Sequence, residues 1–237
     1  MKKQLPFIKS KKLLNIDKNA KTVKGQKFGY KTAILYLAPS NLSGFNVCPM
    51  ASNGCKKACL NTSGHGAFSN VQLGRINKTR WFIQERESFL NQLENEIKNH
   101  IRNCEKNNFV PCIRLNGTSD ISFENFGIFE KFPNVQFYDY TKIYKRALKF
   151  VNGELPSNYH LTYSLNEDNK KQAFNILKLG GNISAVFRSF IPKEFKSFKV
   201  IDADLSDLRF KDPLNSICGL VAKGKAKKDY SGFVLDC

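Results

Sequence analysis

The chain reads as an α/β protein on a mainly parallel sheet, organised as a partial (β/α)6-type barrel. Three observations carry that reading. Short apolar runs rich in β-branched and aromatic residues alternate with helical periodicity, the pattern of strand–helix units joined in parallel. Each run is followed at once by a polar string: CPMASNGCKKAC, NGTSD, DYTK, SLNE, DADLSD and AKG. In barrel-like α/β folds the carboxyl ends of the strands assemble the active site. Finally, about six such units are present, too few for a closed eight-stranded barrel. An open doubly wound sheet is the alternative.

Taken in order, Ala33–Leu37 is a buried strand ended by Pro39, and a cysteine-rich loop follows it. A long helix is expected from about Asn70 to Cys104, with Ser69 as its N-cap. Leu90, Leu93, Ile97 and Ile101 fall on one face of it. Val110–Leu115 and Val135–Tyr138 are strands, separated by a helical segment around Phe123–Phe132. A helix near Tyr144–Val151, a strand at His160–Tyr163 and a helix over Asp168–Leu179 come next, the last stopped by Gly180-Gly181. Ile183–Phe187, Lys199–Ile201 and Ile217–Ala222 complete the strands. Residues 32–237 thus form a single α/β domain carrying the cysteine loop. Residues 1–31 have little periodicity and hold ten lysines against Asp17 alone, so they are expected to be a basic N-terminal extension.

At 237 residues and 41% hydrophobic content the chain can bury a core. No stretch approaches the roughly 20 apolar residues of a membrane span, and the N-terminus lacks the apolar centre of a signal peptide. A cytoplasmic protein with reduced thiols is expected. The net charge of +18 draws polyanions, and the basic arm points to DNA or RNA as partner. A solvated lysine-rich surface is the other reading of the same charge.

Chemistry concentrates in the loop NVCPMASNGCKKACLNTSGHG. Cys48, Cys55 and Cys59 follow a C-x6-C-x3-C spacing, and thiolates so close share a metal or cluster or act as redox partners. Three protein ligands leave one coordination position open, as catalytic centres require. An iron–sulfur site, a zinc site and unliganded thiols all satisfy the pattern, and His65 would complete a Cys3His zinc set. Cys112 and Cys218 sit in apolar runs and read as small hydrophobes. Cys104 and Cys237 stand apart in sequence.

Among the strand ends, Asn116, Thr118, Ser119 and Asp120 form a dense hydrogen-bonding patch, although Asn-Gly is also an ordinary turn. Asp120, Lys142 and Glu167 are the candidates for catalytic roles, and Asn116, Thr118, Ser119 and Asn166 those for binding a cofactor. Asn166 or Glu167 could instead cap the helix that follows. Asp202, Asp204, Asp207 and Arg209 form the one acidic cluster, fit either for a divalent cation or for an internal Asp–Arg network. P-loop, dinucleotide-binding, zinc-protease and serine-hydrolase signatures are absent.

The strings LAPSNLSGFNVCPMASNGCKKACLNTSGHG, RLNGTSD, FYDYTK, DADLSDLRF and GLVAKGKAKKDYSGFV resemble the phage and plasmid gene product 88 family from about Thr32 to Val234. That resemblance implies a mobile-element protein in a bacterial host cell but brings no reaction. In layout, three cysteines after the first strand of a partial barrel, the chain is similar to radical S-adenosylmethionine enzymes. That similarity implies a [4Fe–4S] cluster whose free iron binds S-adenosylmethionine. The usual loop there is C-x3-C-x2-C, from which this one departs. The functional expectation is therefore an iron–sulfur enzyme acting on or near nucleic acid. Two alternatives stay open: a nucleic-acid-binding protein with a structural zinc, and a metal-dependent nuclease or replication protein.

Overall fold

The computed structural model describes residues 4–17 and 19–236. Ten strands form one sheet: β1 (Leu14–Ile16), β2 (Tyr30–Leu35), β3 (Val110–Arg114), β4 (Gln136–Thr141), β5 (Tyr159–Ser164), β6 (Ile183–Phe187), β7 (Glu194–Phe195), β8 (Phe198–Asp202), β9 (Ile217–Val221) and β10 (Val234–Leu235). The helices are α1 (Ala20–Gly25), α2 (Asn53–Lys57), α3 (Ser69–Gln84), α4 (Arg86–Lys106), α5 (Ile128–Lys131), α6 (Tyr144–Val151) and α7 (Lys170–Lys178). None of the described helices is long and apolar enough to cross a membrane.

The strand order is β1-β2-β3-β4-β5-β6-β9-β8-β7, with β10 on β6. Every pair from β2 to β9 and from β9 to β8 is parallel, and only the edge pairs β1–β2 and β7–β8 are antiparallel. The fold is thus mixed α/β with a mostly parallel sheet that does not close on itself. From β2 to β6 the order follows the chain without reversal, whereas beyond β6 it turns back, with β9 lying between β6 and β8.

Right-handed crossovers that always step the same way put their helices on one face. Phe89, Leu93 and Ile97 of α4 accordingly pack in one cluster with Ala33, Leu35, Ile113 and Phe137. Ala173, Ile176 and Leu177 of α7 do the same with Tyr163, Ile183 and Phe187. The residues of β2 to β6 in these clusters are odd-numbered and share one side of the pleat.

The expected single helix over 70–104 is broken at Glu85 (φ −131°, ψ 61°), giving α3 and α4. Trp81 and Phe82 are adjacent in sequence and cannot share one helical stripe with Leu90 and Leu93. The break lets both rings meet Phe89 edge-on, at 5.4 and 5.3 Å between centroids. Phe68, not Ser69, takes the N-cap position of α3.

Within residues 1–31, expected as an extension, a strand joins the sheet edge, and Leu5 and Lys9 lie against Gln84 and Glu85. Leu13 and Leu14 are buried, and their amides donate to Glu96 of α4 at 2.8 and 2.9 Å. β1 pairs with β2, and Lys21 of α1 reaches Asp204 at 2.6 Å. Two hydrophobic side chains in a lysine-rich segment were enough to dock it, a signal too short to show periodicity.

Candidate functional site: a cysteine loop over a polar sheet face

The even-numbered strand residues point away from the long helices, and they make an unusual surface for a parallel sheet. Such sheets bury both faces under apolar side chains. Here Arg114, Tyr138, Tyr140, His160, Thr162 and Ser184 occupy the second face. The loop after β8 folds over it and delivers Asp207, which pairs with Arg114 (Nη1–Oδ2 3.1 Å) and accepts from the Tyr138 hydroxyl at 3.2 Å. Burial opposes the Arg114 charge, but Asp207 together with Tyr140, Tyr138 and Tyr36 more than offsets it and holds the guanidinium above its ordinary pKa. The guanidinium also stacks on Tyr140, 4.6 Å from the ring centroid.

Above this face lies a cavity of about 720 Å³, roofed by the cysteine loop. Cys48, Cys55 and Cys59 all line it and all are free thiols. Burial pushes the Cys48 thiol up to about 12 and raises Cys59 as well, so both are thiols until a positive centre stabilises the thiolates. Among the described residues no three Cys, His, Asp or Glu side chains converge as a ready-made single-ion site.

The loop is fastened at two points, and both are strand ends singled out from the sequence. At the first, Asp120 N donates to Val47 O (2.8 Å), Thr118 Oγ1 to Leu37 O (2.5 Å) and Cys48 Sγ to Thr118 O (3.6 Å). Gly117 is required there, because a Cβ would sit 2.6 Å from the Tyr36 ring. At the second, Ser52 caps α2, and Glu167 clamps it: Oε2 accepts from Ser52 Oγ and Oε1 from Gly54 N, both at 2.7 Å. A carboxylate at the first turn satisfies amides that have no partner within the helix.

The expected site residues therefore divide. Cys48, Cys55, Cys59, Asn116, Thr118, Ser119, Asp120 and Lys142 all line the cavity, whereas Glu167 and Asn166 do not. Glu167 positions the cysteine helix. Asn166 closes a turn, its Oδ1 accepting from Asp168 N at 2.9 Å. Asn116 is saturated: its Oδ1 accepts from Ser119 Oγ and Ile121 N, and its Nδ2 donates to Ile121 O and Asp139. Asp120 accepts from Thr141, Lys142 N and Arg146, the last at 2.7 Å, so its carboxylate is fully engaged. Lys142 Nζ donates to Ser164 at 2.8 Å beside the cavity and keeps two further donors.

The members of the acidic cluster go separate ways: Asp207 pairs with Arg114, Asp204 with both Lys21 and Lys223, and Arg209 with Asp212 from outside the cluster, while Asp202 accepts from Asp204 N at 2.8 Å. An internal network, not a gathered cation site, is its observed form. His65 is exposed, stacked edge-on against Phe68, and does not line the cavity. Cys104, Cys112 and Cys218 are buried, while Cys237 lies outside the described residues. Sequence reasoning passed over Arg114 and Lys21. Arg114 was hidden as the one cation ending an apolar strand, a placement that in a buried sheet already signals a paired charge.

An open, mostly parallel α/β sheet with a thiol-lined cavity at the carboxyl ends of its strands defines an α/β protein with a cysteine-centred site. The model of the gene product 88 family matches residues 10–237, and the chain belongs to that family. No curated protein and no solved structure matches it, so the similarity to radical S-adenosylmethionine enzymes gains no support from relatives.

Proposed function

We propose that the chain is an iron–sulfur enzyme, with Cys48, Cys55 and Cys59 holding three irons of a [4Fe–4S] cluster in the wall of the cavity. The observation that carries this reading is that three free thiols, on a loop fastened at two points, line one cavity. The soft thiolate donors suit an iron–sulfur cluster, and among the described residues no fourth Cys or His lines the cavity, which suits a cluster with one iron open to a ligand. When bound, such a cluster supplies one-electron chemistry and a chelation point, for which S-adenosylmethionine is the first ligand to try. The chain-order run from β2 to β6, with helices on one face and the cavity on the other, supports a partial (β/α)6-type barrel as its frame.

The chain's own residues then have definite tasks. Glu167 and the Asn116–Asp120 turn hold the thiols in register. Lys142 presents an ammonium beside Ser164 to an anionic group of the ligand. The Arg114–Tyr140–Asp207 group forms the ion-paired floor against which the ligand is oriented. The two zinc or divalent-metal alternatives draw less support, since His65 does not line the cavity, and Asp204 and Asp207, which do, are engaged by Lys21, Lys223 and Arg114.

The test is iron and sulfide analysis with a visible spectrum on protein purified without oxygen. About four irons and four sulfides per chain are expected, lost on replacing any of the three cysteines by Ala. One zinc and a colourless protein would overturn the reading.

A further inference from the structure

The two basic runs of the chain, some 200 residues apart, meet at one edge of the cavity. Lys21 of α1 and Lys223 both bind the single carboxylate of Asp204, at 2.6 and 2.7 Å, and all three line the cavity mouth. Lys24 joins them through the Asp204 carbonyl at 3.0 Å. The segment Gly224–Lys228 continues this rim as a short helical turn, with Lys225, Lys227 and Lys228 exposed and, among the described residues, in no ion pair. Six lysines against Asp204, Asp207 and Asp229 leave the edge positive.

A second observation lies at the end of that edge. Tyr230 is 84% exposed, the most exposed of the large apolar or aromatic side chains described. Its ring is not loose: the Arg188 guanidinium stacks on it at 4.6 Å to the centroid. Arg188 is itself fixed by the Asp229 carbonyl at 2.9 Å and by an ion pair with Asp236. A rigid aromatic face presented to solvent beside a row of lysines is a base-stacking platform beside a phosphate track. Phe233, three residues on, lines the cavity.

We propose that this edge binds a single strand of nucleic acid, with phosphates along Lys21, Lys24, Lys225, Lys227 and Lys228 and a base stacked on Tyr230, so that the neighbouring nucleotide stands at the mouth of the thiol-lined cavity. A duplex does not fit the same role, because its base faces are already stacked and unavailable to Tyr230. The inference deepens the reading of the cavity, since it names a nucleotide within a strand as the substrate class. Binding itself, however, needs no metal centre.

The experiment is fluorescence anisotropy of the full chain with end-labelled single-stranded DNA, single-stranded RNA and duplex DNA over a range of salt. Both single strands are expected to bind more tightly than the duplex, and the preferred one names the sugar. The triple variant Lys225→Ala, Lys227→Ala, Lys228→Ala is expected to bind at least tenfold more weakly and to lower the salt slope by about 2, at about 0.7 per phosphate contact. Tyr230→Ala should weaken binding about tenfold with the salt slope unchanged, and Tyr230→Phe should restore it. Duplex bound as tightly as single strands, or Tyr230→Ala binding like the parent, would overturn the proposal in favour of a general polyanion surface. Iron content is measured on the same samples, so a colourless protein that still binds single strands refutes the cluster reading alone.

Discussion

Replacing Glu167 tests whether a residue outside the cavity sets the position of the thiols within it. Its two carboxylate oxygens accept from Ser52 Oγ and Gly54 N, and these are the contacts that hold the start of α2, and with it Cys55, against the sheet. Glu167→Ala leaves the Gly54 amide without its partner, and an abandoned donor to a charged group costs about 2–3 kcal/mol. For a chain of this size, about 2–4 °C of Tm per kcal/mol gives a fall of about 5–10 °C. Glu167→Gln can still accept from Gly54 and donate to Ser52, so it loses only the charge assistance, about 1 kcal/mol. Melting curves and the alkylation rate of Cys55 should therefore rank wild type, Gln and Ala in that order. Gly54→Ala attacks the same joint from the other side, since its Cβ would meet Ser231 Oγ at 2.1 Å and Phe233 Cβ at 2.7 Å. If Glu167→Ala melts like wild type and its thiols react no faster, the clamp argument is wrong.

Two further outcomes concern the buried network below the cavity. Arg146 is buried between Asp120 and Glu124, at 2.7 and 2.6 Å, so Arg146→Ala should strand two carboxylates and cost about 3–5 kcal/mol in urea unfolding, and a loss below 1 kcal/mol would show the pairs to be inert. Asp139 is buried, and desolvation lifts its carboxyl to about 7 despite the Asn116 amides. A folded-state pKa above the unfolded value gives stability that is complete below about pH 4 and lost as pH rises through about 7, by up to about 4 kcal/mol. Asp139→Asn should flatten that part of the pH–stability curve, and an unchanged curve would remove Asp139 as its source.

Much of the architecture is legible in the chain itself. The strand at Ile183–Phe187 and the helix at Tyr144–Val151 fall where periodicity puts them, because β-branched runs and amphipathic spacing are local properties. The cysteine cluster is legible for the same reason, three thiols within twelve residues. Tertiary structure decided what each strand end does. Glu167 and Asn116 carry the same functional groups whether they bind a ligand or a loop, and only the fold brings Gly54 within 2.7 Å of one and Asp139 beside the other. It also decided that Lys21 and Lys223 share Asp204, and that Arg114 finds Asp207 from 93 residues away. Local sequence fixes conformation through steric and hydrophobic preference over a few residues. The partner of a charge or a hydrogen bond is chosen by chain crossings that no local pattern records.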